Sequence, residues 1–267
     1  LADKLAGVGI DPDSVTIPGC LIFNPGFTNT FSLANANGVG RTEVSMSSQE
    51  WGFSQKAIRR YYALDLYLEH PFNGKWQGRV DYTFSRSYGN TEGQTKSDIG
   101  QTDISKTQDW DSGELMLNSN GLLTNDRTHQ LKAYGAYQLT AEWLISGNLR
   151  LASGAPKSCL GFENANADPD PIGYGSSYHN CFGQPSPPGK TRNPWYRQLD
   201  LAVTYRPSVF DNKLAFGLSV FNVTNERKPL VSFSQDESIS KTVLNNYNLG
   251  QYYQTPRYAR LTATYDF

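Results

Sequence analysis

The last eleven residues of the chain read Arg257-Tyr-Ala-Arg-Leu-Thr-Ala-Thr-Tyr-Asp-Phe267. Side chains alternate between the two faces of a β-strand, so this stretch has one apolar and one polar face along its whole length. Its length matches the roughly 9–11 residues that a tilted strand needs to cross a bilayer. A soluble sheet could end on the same pattern, so the interpretation depends on whether the rest of the chain repeats it. The apolar face carries Ala259, Leu261, Ala263, Tyr265 and Phe267.

The composition favours β structure and excludes some functional classes. The 267 residues contain 24 Lys and Arg against 25 Asp and Glu, so no basic surface for nucleic acid is indicated. Aromatic residues make up 13% of the chain, including 16 Tyr, which is typical of sheets at a boundary between apolar and wet surroundings. A mean hydropathy of −0.54 argues against membrane-spanning helices. It leaves a membrane barrel open, because only alternate residues of such strands face lipid.

Three upstream hairpins repeat the alternating pattern. The first spans about 57–84 and turns at Asn73-Gly74, a pair that supplies the positive φ angles of a tight turn. The second spans 128–156, and the third spans about 195–226. Each strand keeps an apolar face and a polar face. The polar faces carry the charged residues Asp65, Arg79, Asp81, Lys132, Arg150, Asp200 and Arg260.

Short turns and long polar loops alternate strictly between these strands. The long extracellular loops are predicted at about 87–127, 157–193 and 227–255, with a short strand at Glu114–Leu117. Residues 1–56 are turn-rich and predicted to be a loop region with short strands. Short turns on one side and long loops on the other are the signature of an outer-membrane barrel. One interfacial girdle is expected near the short-turn ends, formed by Trp76, Tyr137, Trp143, Tyr205, Tyr265 and Phe267.

The strand count sets an expectation about the whole barrel. About seven long strands are predicted over 57–267, and counting back from the last one places 1–56 on the long-loop side. A bacterial single-chain barrel has an even strand number and starts on the periplasmic side. We therefore expect an all-β fold in which this chain is the C-terminal part of a larger antiparallel transmembrane barrel.

Several motifs resemble TonB-dependent outer-membrane receptors. The last strand is similar to the closing strand of these receptors, which ends in Phe. Leu199-Asp-Leu201 followed by Leu218-Ser-Val-Phe-Asn-Val-Thr-Asn225 resembles their penultimate hairpin, and Ser153-Gly-Ala-Pro156 resembles a strand-to-loop exit common in the family. The Oar-like branch in particular is indicated by Cys20-Leu-Ile-Phe-Asn-Pro25, Ala63-Leu-Asp-Leu-Tyr-Leu-Glu69 and Asp81-Tyr-Thr-Phe-Ser-Arg-Ser-Tyr-Gly89.

The resemblance implies a barrel of about 22 strands with an N-terminal plug that is absent from this chain. It implies a receptor or transporter in the outer membrane of a Gram-negative bacterium, which moves or binds a large solute such as a siderophore, glycan, peptide or protein. The implied partners are outer-membrane lipid, the missing barrel and plug residues, the TonB system through that plug, and the barrel-assembly machinery, which would read Tyr265 and Phe267. No cofactor is implied. The alternative is a binding or structural surface protein without energised transport.

The cysteines favour one local crosslink. Cys159 and Cys181 lie in the same Gly/Pro/Asn-rich loop, which predicts a disulfide in an oxidising compartment. Cys20 is left over and is either free or paired outside this chain. A zinc site formed by Cys159, His179 and Cys181 would lack a fourth ligand.

No pattern of catalytic residues is evident, and we predict that the chain is not an enzyme. The three histidines are dispersed, and neither a Gly-x-Ser-x-Gly nor a His-Glu-x-x-His motif is present. Asp168 and Asp170 with His179 remain an alternative catalytic group, and Asn164–Asp170 an alternative calcium site. Loop carboxylates are more often simply solvated.

Aromatic side chains in the loops are the better candidates for ligand contact. Exposed Tyr and Phe beside Asn and Gln suit recognition of peptides or glycans. The alternative is that they pack the loops on one another. The candidates are Tyr174, Tyr178, Phe182, Tyr247, Tyr252 and Tyr253.

Overall fold

A computed structural model describes residues 2–18, 24, 26–101, 103–104, 107–238 and 242–266. The helices are α1 (Ala2–Gly7) and α2 (Gly113–Met116), with 3-10 turns at Pro12–Ser14, Ser97–Ile99 and Val209–Asn212. The strands are β1 (Asn29–Ala34), β2 (Arg41–Met46), β3 (Arg59–His70), β4 (Trp76–Gly89), β5 (Gly121–Leu122), β6 (His129–Gln138), β7 (Trp143–Ala152), β8 (Pro156–Lys157), β9 (Asn180–Cys181), β10 (Gln184–Pro185), β11 (Thr191–Arg192), β12 (Tyr196–Tyr205), β13 (Leu214–Phe221), β14 (Pro229–Ser232), β15 (Gly250–Tyr253) and β16 (Tyr258–Tyr265). Within the described residues, no helix has the length and apolar character needed to cross a membrane.

Seven long strands form one antiparallel sheet in the order β3-β4-β6-β7-β12-β13-β16. Each therefore pairs with the next long strand along the chain. The connections at 71–75, 139–142 and 206–213 are short and lie at one end of the sheet. The long connections lie at the other end, and we call them together the loop cap: residues 90–128, 153–195 and 222–257. The predicted all-β antiparallel wall with long loops on one side is confirmed.

The first hairpin shows how local sequence sets the register. The Asn73 side-chain Oδ1 accepts hydrogen bonds from the backbone N–H groups of Lys75 and Trp76, each at 3.0 Å. Gly74 follows with a φ of +89°, a conformation that costs glycine little because it has no Cβ. This turn fixes the pairing of β3 with β4 over all twelve residues from Arg59 to His70.

One face of the sheet is apolar across all seven strands. Paired residues of antiparallel strands lie on the same face, and the register puts Ile145, Val203, Leu218 and Leu261 into one continuous row. Leu261 is 81% exposed and Leu68, on β3, is 77% exposed. So wide an apolar surface is costly in water and fits hydrocarbon. The alternating apolar residues of the separate strands thus form one continuous apolar face.

Aromatic residues gather at the short-turn end of this apolar face. Trp76 pairs with Tyr137 across β4 and β6. Trp143 stacks on Tyr205 with ring centroids 4.5 Å apart, and Tyr265 ends the row on β16. This arrangement matches an interfacial girdle. Phe267, the remaining member of the predicted girdle, lies outside the described residues.

The first part of the chain forms a small unit beside the sheet. The β1–β2 hairpin and α1 share a buried apolar cluster of Leu5, Val15, Leu33, Val44 and Met46. The segment from Cys20 to Phe23, and Pro25, lie outside the described residues.

Two sequence expectations differ from the structure in detail. The stretch predicted as a short strand at Glu114–Leu117 is instead the helical turn α2, because the Ser112 hydroxyl accepts from the Glu114 N–H at 3.3 Å and starts a helix. The strand β16 has 8 residues, fewer than the eleven-residue terminal stretch from which it was predicted, and β13 also has 8. The loop boundaries also shift by a few residues from the predicted ones.

Candidate functional site

The polar face of the sheet carries a partly paired row of charges. Arg79 on β4 contacts Asp81 at 2.7 Å and Glu69 on β3 at 3.1 Å. Lys132 lies directly opposite Arg150 across β6 and β7. Like charges in opposite positions repel, but Lys132 also lies opposite Asp81 of β4, whose carboxylate contacts Arg79. The row on this face therefore mixes both signs of charge.

The loop cap is a packed unit. The Leu160 N–H donates to the Ser234 carbonyl at 2.8 Å, which joins the second long connection to the third. The Asn164 side-chain Nδ2 donates to Glu114 Oε2 at 2.6 Å, which joins the second connection to the first. Ser234 also donates to the carbonyl of Asp98. All three long connections are therefore tied to one another.

The cap contains a buried charge cluster. Lys96 Nζ lies 2.9 Å from Asp109 Oδ1, with both side chains less than 10% exposed. Asp98 and His179 line the same small cavity, of about 30 Å³. Burial raises the pKa of Asp98 to about 6. Burial also lowers the pKa of His179 to about 3, and the positive charge of Lys96 contributes to this lowering. His179 is thus neutral at pH 7, and its Nδ1 is buried with no partner among the described residues.

Asp98→Asn should stabilise the loop cap by about 2–3 kcal/mol at pH 7–8, because burial raises the pKa of the Asp98 carboxyl to about 6 and the fold therefore disfavours its ionised form. A group with a raised folded pKa contributes stability below its unfolded value of 3.8 and loses that contribution as pH rises through about 6. The gain should therefore vanish near pH 4. Hydrogen exchange of backbone amides in the cap, compared between the wild type and Asp98→Asn across pH 4–8, measures this gain in stability. His179 opposes the trend in both proteins, so the difference between them reports Asp98. A gain that stays the same at pH 4 would contradict this assignment.

The six aromatic candidates divide into two groups. Tyr178 is 1% exposed and donates to Asp170 at 3.0 Å. Tyr174 donates to Asp111 at 2.7 Å. Both phenols are used to hold the cap together, which matches the alternative of loop packing at these two positions.

Three of the other four candidates are exposed to solvent. Phe182 is 51% exposed and meets Tyr247 edge-on, with ring centroids 5.8 Å apart. Tyr252 and Tyr253 on β15 are 54% and 57% exposed. Phe182, Tyr252 and Tyr253 are thus exposed and Tyr247 is partly exposed, and ligand contact through these four side chains stays a prediction.

The cysteine pair forms a covalent link inside the second long connection. Cys159 and Cys181 are joined by a disulfide, with their Cα atoms 5.5 Å apart. Asp236 lies against this disulfide, and burial raises its pKa to about 6. Among the described residues, the three groups form the one cluster with metal-ligand spacing, but sulfurs bonded to each other offer no thiolate. His179 does not join that cluster, and Cys20 lies outside the described residues.

The oxygens of the proposed calcium segment are engaged within the loop. Asn164 Oδ1 accepts from the N–H groups of Asn166 and Asp168, each at 2.9 Å. Asp170 Oδ1 accepts from the Tyr174 N–H at 2.7 Å as well as from Tyr178. These hydrogen bonds shape the turn.

A cavity of about 340 Å³ opens beside the disulfide. Its lining includes the cysteine pair, Lys157, Lys190 and Tyr247. The sequence signal for this cavity is weak, because the two lysines are far apart in the chain. Strand pairing brings them together, since β8 pairs with β11.

Comparisons with known proteins find similarity to outer-membrane transporters and receptors. No protein-family model matches it. The TonB-dependent transporter Oar from Myxococcus xanthus is 33% identical over 175 residues. The match covers 63% of this chain and 15% of that relative, so this chain spans a small part of the relative's length.

Solved structures overlap with it in part. The outer membrane transporter YddB from Escherichia coli has a TM-score of 0.49 and 7% identity over 91% of this chain and 29% of YddB. The siderophore receptor PiuA from Acinetobacter baumannii has a TM-score of 0.44 and 10% identity over 78% of this chain and 22% of PiuA. The similarity to TonB-dependent receptors rests on the sequence match to Oar.

The predicted location in the outer membrane of a Gram-negative bacterium agrees with that match and with the apolar outer face of the sheet. The resemblance of this chain to TonB-dependent receptors, and to their Oar-like branch, is confirmed.

Proposed function

We propose that this chain forms the C-terminal barrel wall and extracellular cap of a TonB-dependent receptor that binds a large solute and passes it across the outer membrane. The match to the transporter Oar is the observation that carries this proposal. The sheet supports it, because an apolar face towards lipid and a charged face towards the interior are what a transport barrel requires. The role is binding and transport, without catalysis.

The remaining barrel strands and a plug complete the protein in this proposal. In the described residues, β3 and β16 each have one long strand as a neighbour and lie at the edges of the sheet. A lipid-embedded wall needs those edges paired, because unpaired backbone groups are costly in hydrocarbon. The plug would rest against the polar face, where Lys132 and Arg150 offer positive charge to its carboxylates.

The proposed solute is a siderophore, glycan, peptide or protein that first meets the loop cap. The exposed side chains of Phe182, Tyr252 and Tyr253 offer flat surfaces for such contacts. The TonB system would act through the plug, and the barrel-assembly machinery would read the end of the chain, including Tyr265 and Phe267.

The test uses the full-length protein in its own outer membrane. Solute accumulation should fall to background when either tonB or the TonB-contacting segment of the plug is deleted, while binding at the cell surface remains. Accumulation that persists without TonB would contradict energised transport. Surface binding with no accumulation in the wild type would favour the alternative of a non-energised binding protein.

A further inference from the structure

The cavity beside the disulfide contains two ammonium groups in fixed positions. Lys157 Nζ donates to Asn248 Oδ1 at 2.6 Å. Lys190 Nζ donates to the Pro185 carbonyl at 2.5 Å. An ammonium group has three N–H donors, so each lysine keeps two for another partner.

Strand pairing places these lysines next to each other. Thr191 on β11 is the register partner of Lys157 on β8, and Lys190 directly precedes Thr191. The Gly189 N–H also donates to the Lys157 carbonyl at 3.0 Å. The backbone that carries both side chains is therefore ordered before any ligand arrives, which lowers the entropy cost of binding.

The positive charge in this cavity is not compensated. Its lining contains no Asp or Glu, and neither ammonium group pairs with a carboxylate among the described residues. Two like charges held at one concave surface create a potential that favours an anion. The nearest acidic group described beside the disulfide is Asp236, whose raised pKa reduces its negative charge at mildly acidic pH.

The neutral part of the lining suits the remainder of a small ligand. Gln184, Ser186 and Thr191 supply polar groups. Tyr247 supplies a ring, and burial raises the pKa of its phenol, which therefore stays a hydrogen-bond donor. A volume of about 340 Å³ fits a small molecule, since ligand cavities start at roughly 300 Å³.

We propose that this cavity binds a small carboxylate- or phosphate-bearing oxyanion through Lys157 and Lys190, and that the Cys159–Cys181 disulfide holds the cavity in its binding shape. Cys181 Sγ lies 4.0 Å from the Tyr247 oxygen, so the crosslink contacts the ligand-facing ring directly. Breaking it removes the constraint between the Cys159 and Cys181 segments of the lining. The biological role of this cavity as a ligand subsite rests on the proposed function. Anion binding to the cavity can nevertheless be measured without transport.

Calorimetric titration of the full-length protein in detergent tests this with citrate, inorganic phosphate and, as the neutral probe, glucose. We expect at least one of the two anions to bind, with an affinity that falls as salt rises, and glucose to bind at least tenfold more weakly. Lys157→Gln/Lys190→Gln should weaken anion binding by about tenfold or more, whereas Lys228→Gln, an exposed lysine elsewhere in the cap, should leave it unchanged. Preference for citrate over phosphate, or the reverse, identifies the oxyanion source.

The disulfide is tested in the same titration with Cys159→Ser/Cys181→Ser. We expect binding to weaken at least threefold while the barrel stays folded, as judged by its resistance to unfolding in cold detergent on an electrophoresis gel. Absence of anion binding to the wild type, or equal binding by the double-lysine variant, would overturn the site. Equal binding by the cysteine variant would overturn the role of the disulfide. None of these results depends on TonB, so they are separate from the transport test.

Discussion

Replacing Leu261 with arginine should lower the free energy of unfolding of the full-length protein in phospholipid vesicles by about 2–4 kcal/mol. Leu261 lies near the middle of β16 and is 81% exposed on the apolar face. Its row continues through Leu218 and Val203, so the charge would enter an uninterrupted apolar band. The hydrocarbon core gives an arginine at that depth no water and no counter-ion.

The neighbouring residue supplies the control. Thr262 points to the opposite face of the same strand, since side chains alternate, so Thr262→Arg places the same charge on the polar side. We expect that variant to lose clearly less stability than Leu261→Arg, because the polar face meets water and polar protein groups and not hydrocarbon. Urea unfolding followed by tryptophan fluorescence measures both. Equal losses for the two variants would refute a lipid-facing side at Leu261.

Gly154→Ala should loosen the loop cap, with an expected cost of about 1–3 kcal/mol or more from overpacking. A Cβ at Gly154 would overlap the backbone carbonyl of Asn193, which runs past it. This close approach is fixed, because the Asn193 N–H donates to the Ala155 carbonyl at 2.8 Å. The Ser153-Gly-Ala-Pro156 motif thus has a physical reason: two backbones meet where the strand leaves the sheet.

Limited proteolysis of the cap measures this effect. Gly154→Ala should raise the cleavage rate at 157–193 several-fold while leaving the sheet intact. Gly78→Ala is the control, because a Cβ there would meet its neighbours at 3.5 Å or more, an ordinary contact distance. Unchanged cleavage in Gly154→Ala would show that the two backbones separate at little cost.

The sheet could be predicted from sequence because the residues that determine its strands and turns are close to one another in the chain. Period-two alternation assigns a face to each residue, and the Asn73-Gly74 turn sets the register of its hairpin. The outward side of Leu261 and the inward side of Arg260 both follow from that rule. Seven strands joined to their chain neighbours leave little choice of order.

The loop cap could not be predicted because its contacts are distant in sequence. Nothing near Tyr178 indicates that its ring is buried, and the proximity of His179 to Lys96 depends on how two loops fold together. The Lys157–Lys190 cavity depends on the pairing of two-residue strands, which are too short for a periodic signal. At α2, a single Ser112 cap outweighs the apolar pattern that suggested a strand.

The separation of short turns from long connections has an evolutionary consequence. Each long connection leaves and re-enters the sheet at neighbouring strands, as at Ala152 and Tyr196, which are register partners. A recombination event that replaced 153–195 between two relatives would therefore keep the membrane wall and its register. The replaced segment brings its own disulfide and both cavity lysines with it. Tyr247 and Asn248 of the cavity stay on the third connection, so the new segment would also have to match the contacts of the old one with Asn248, Glu114 and Ser234.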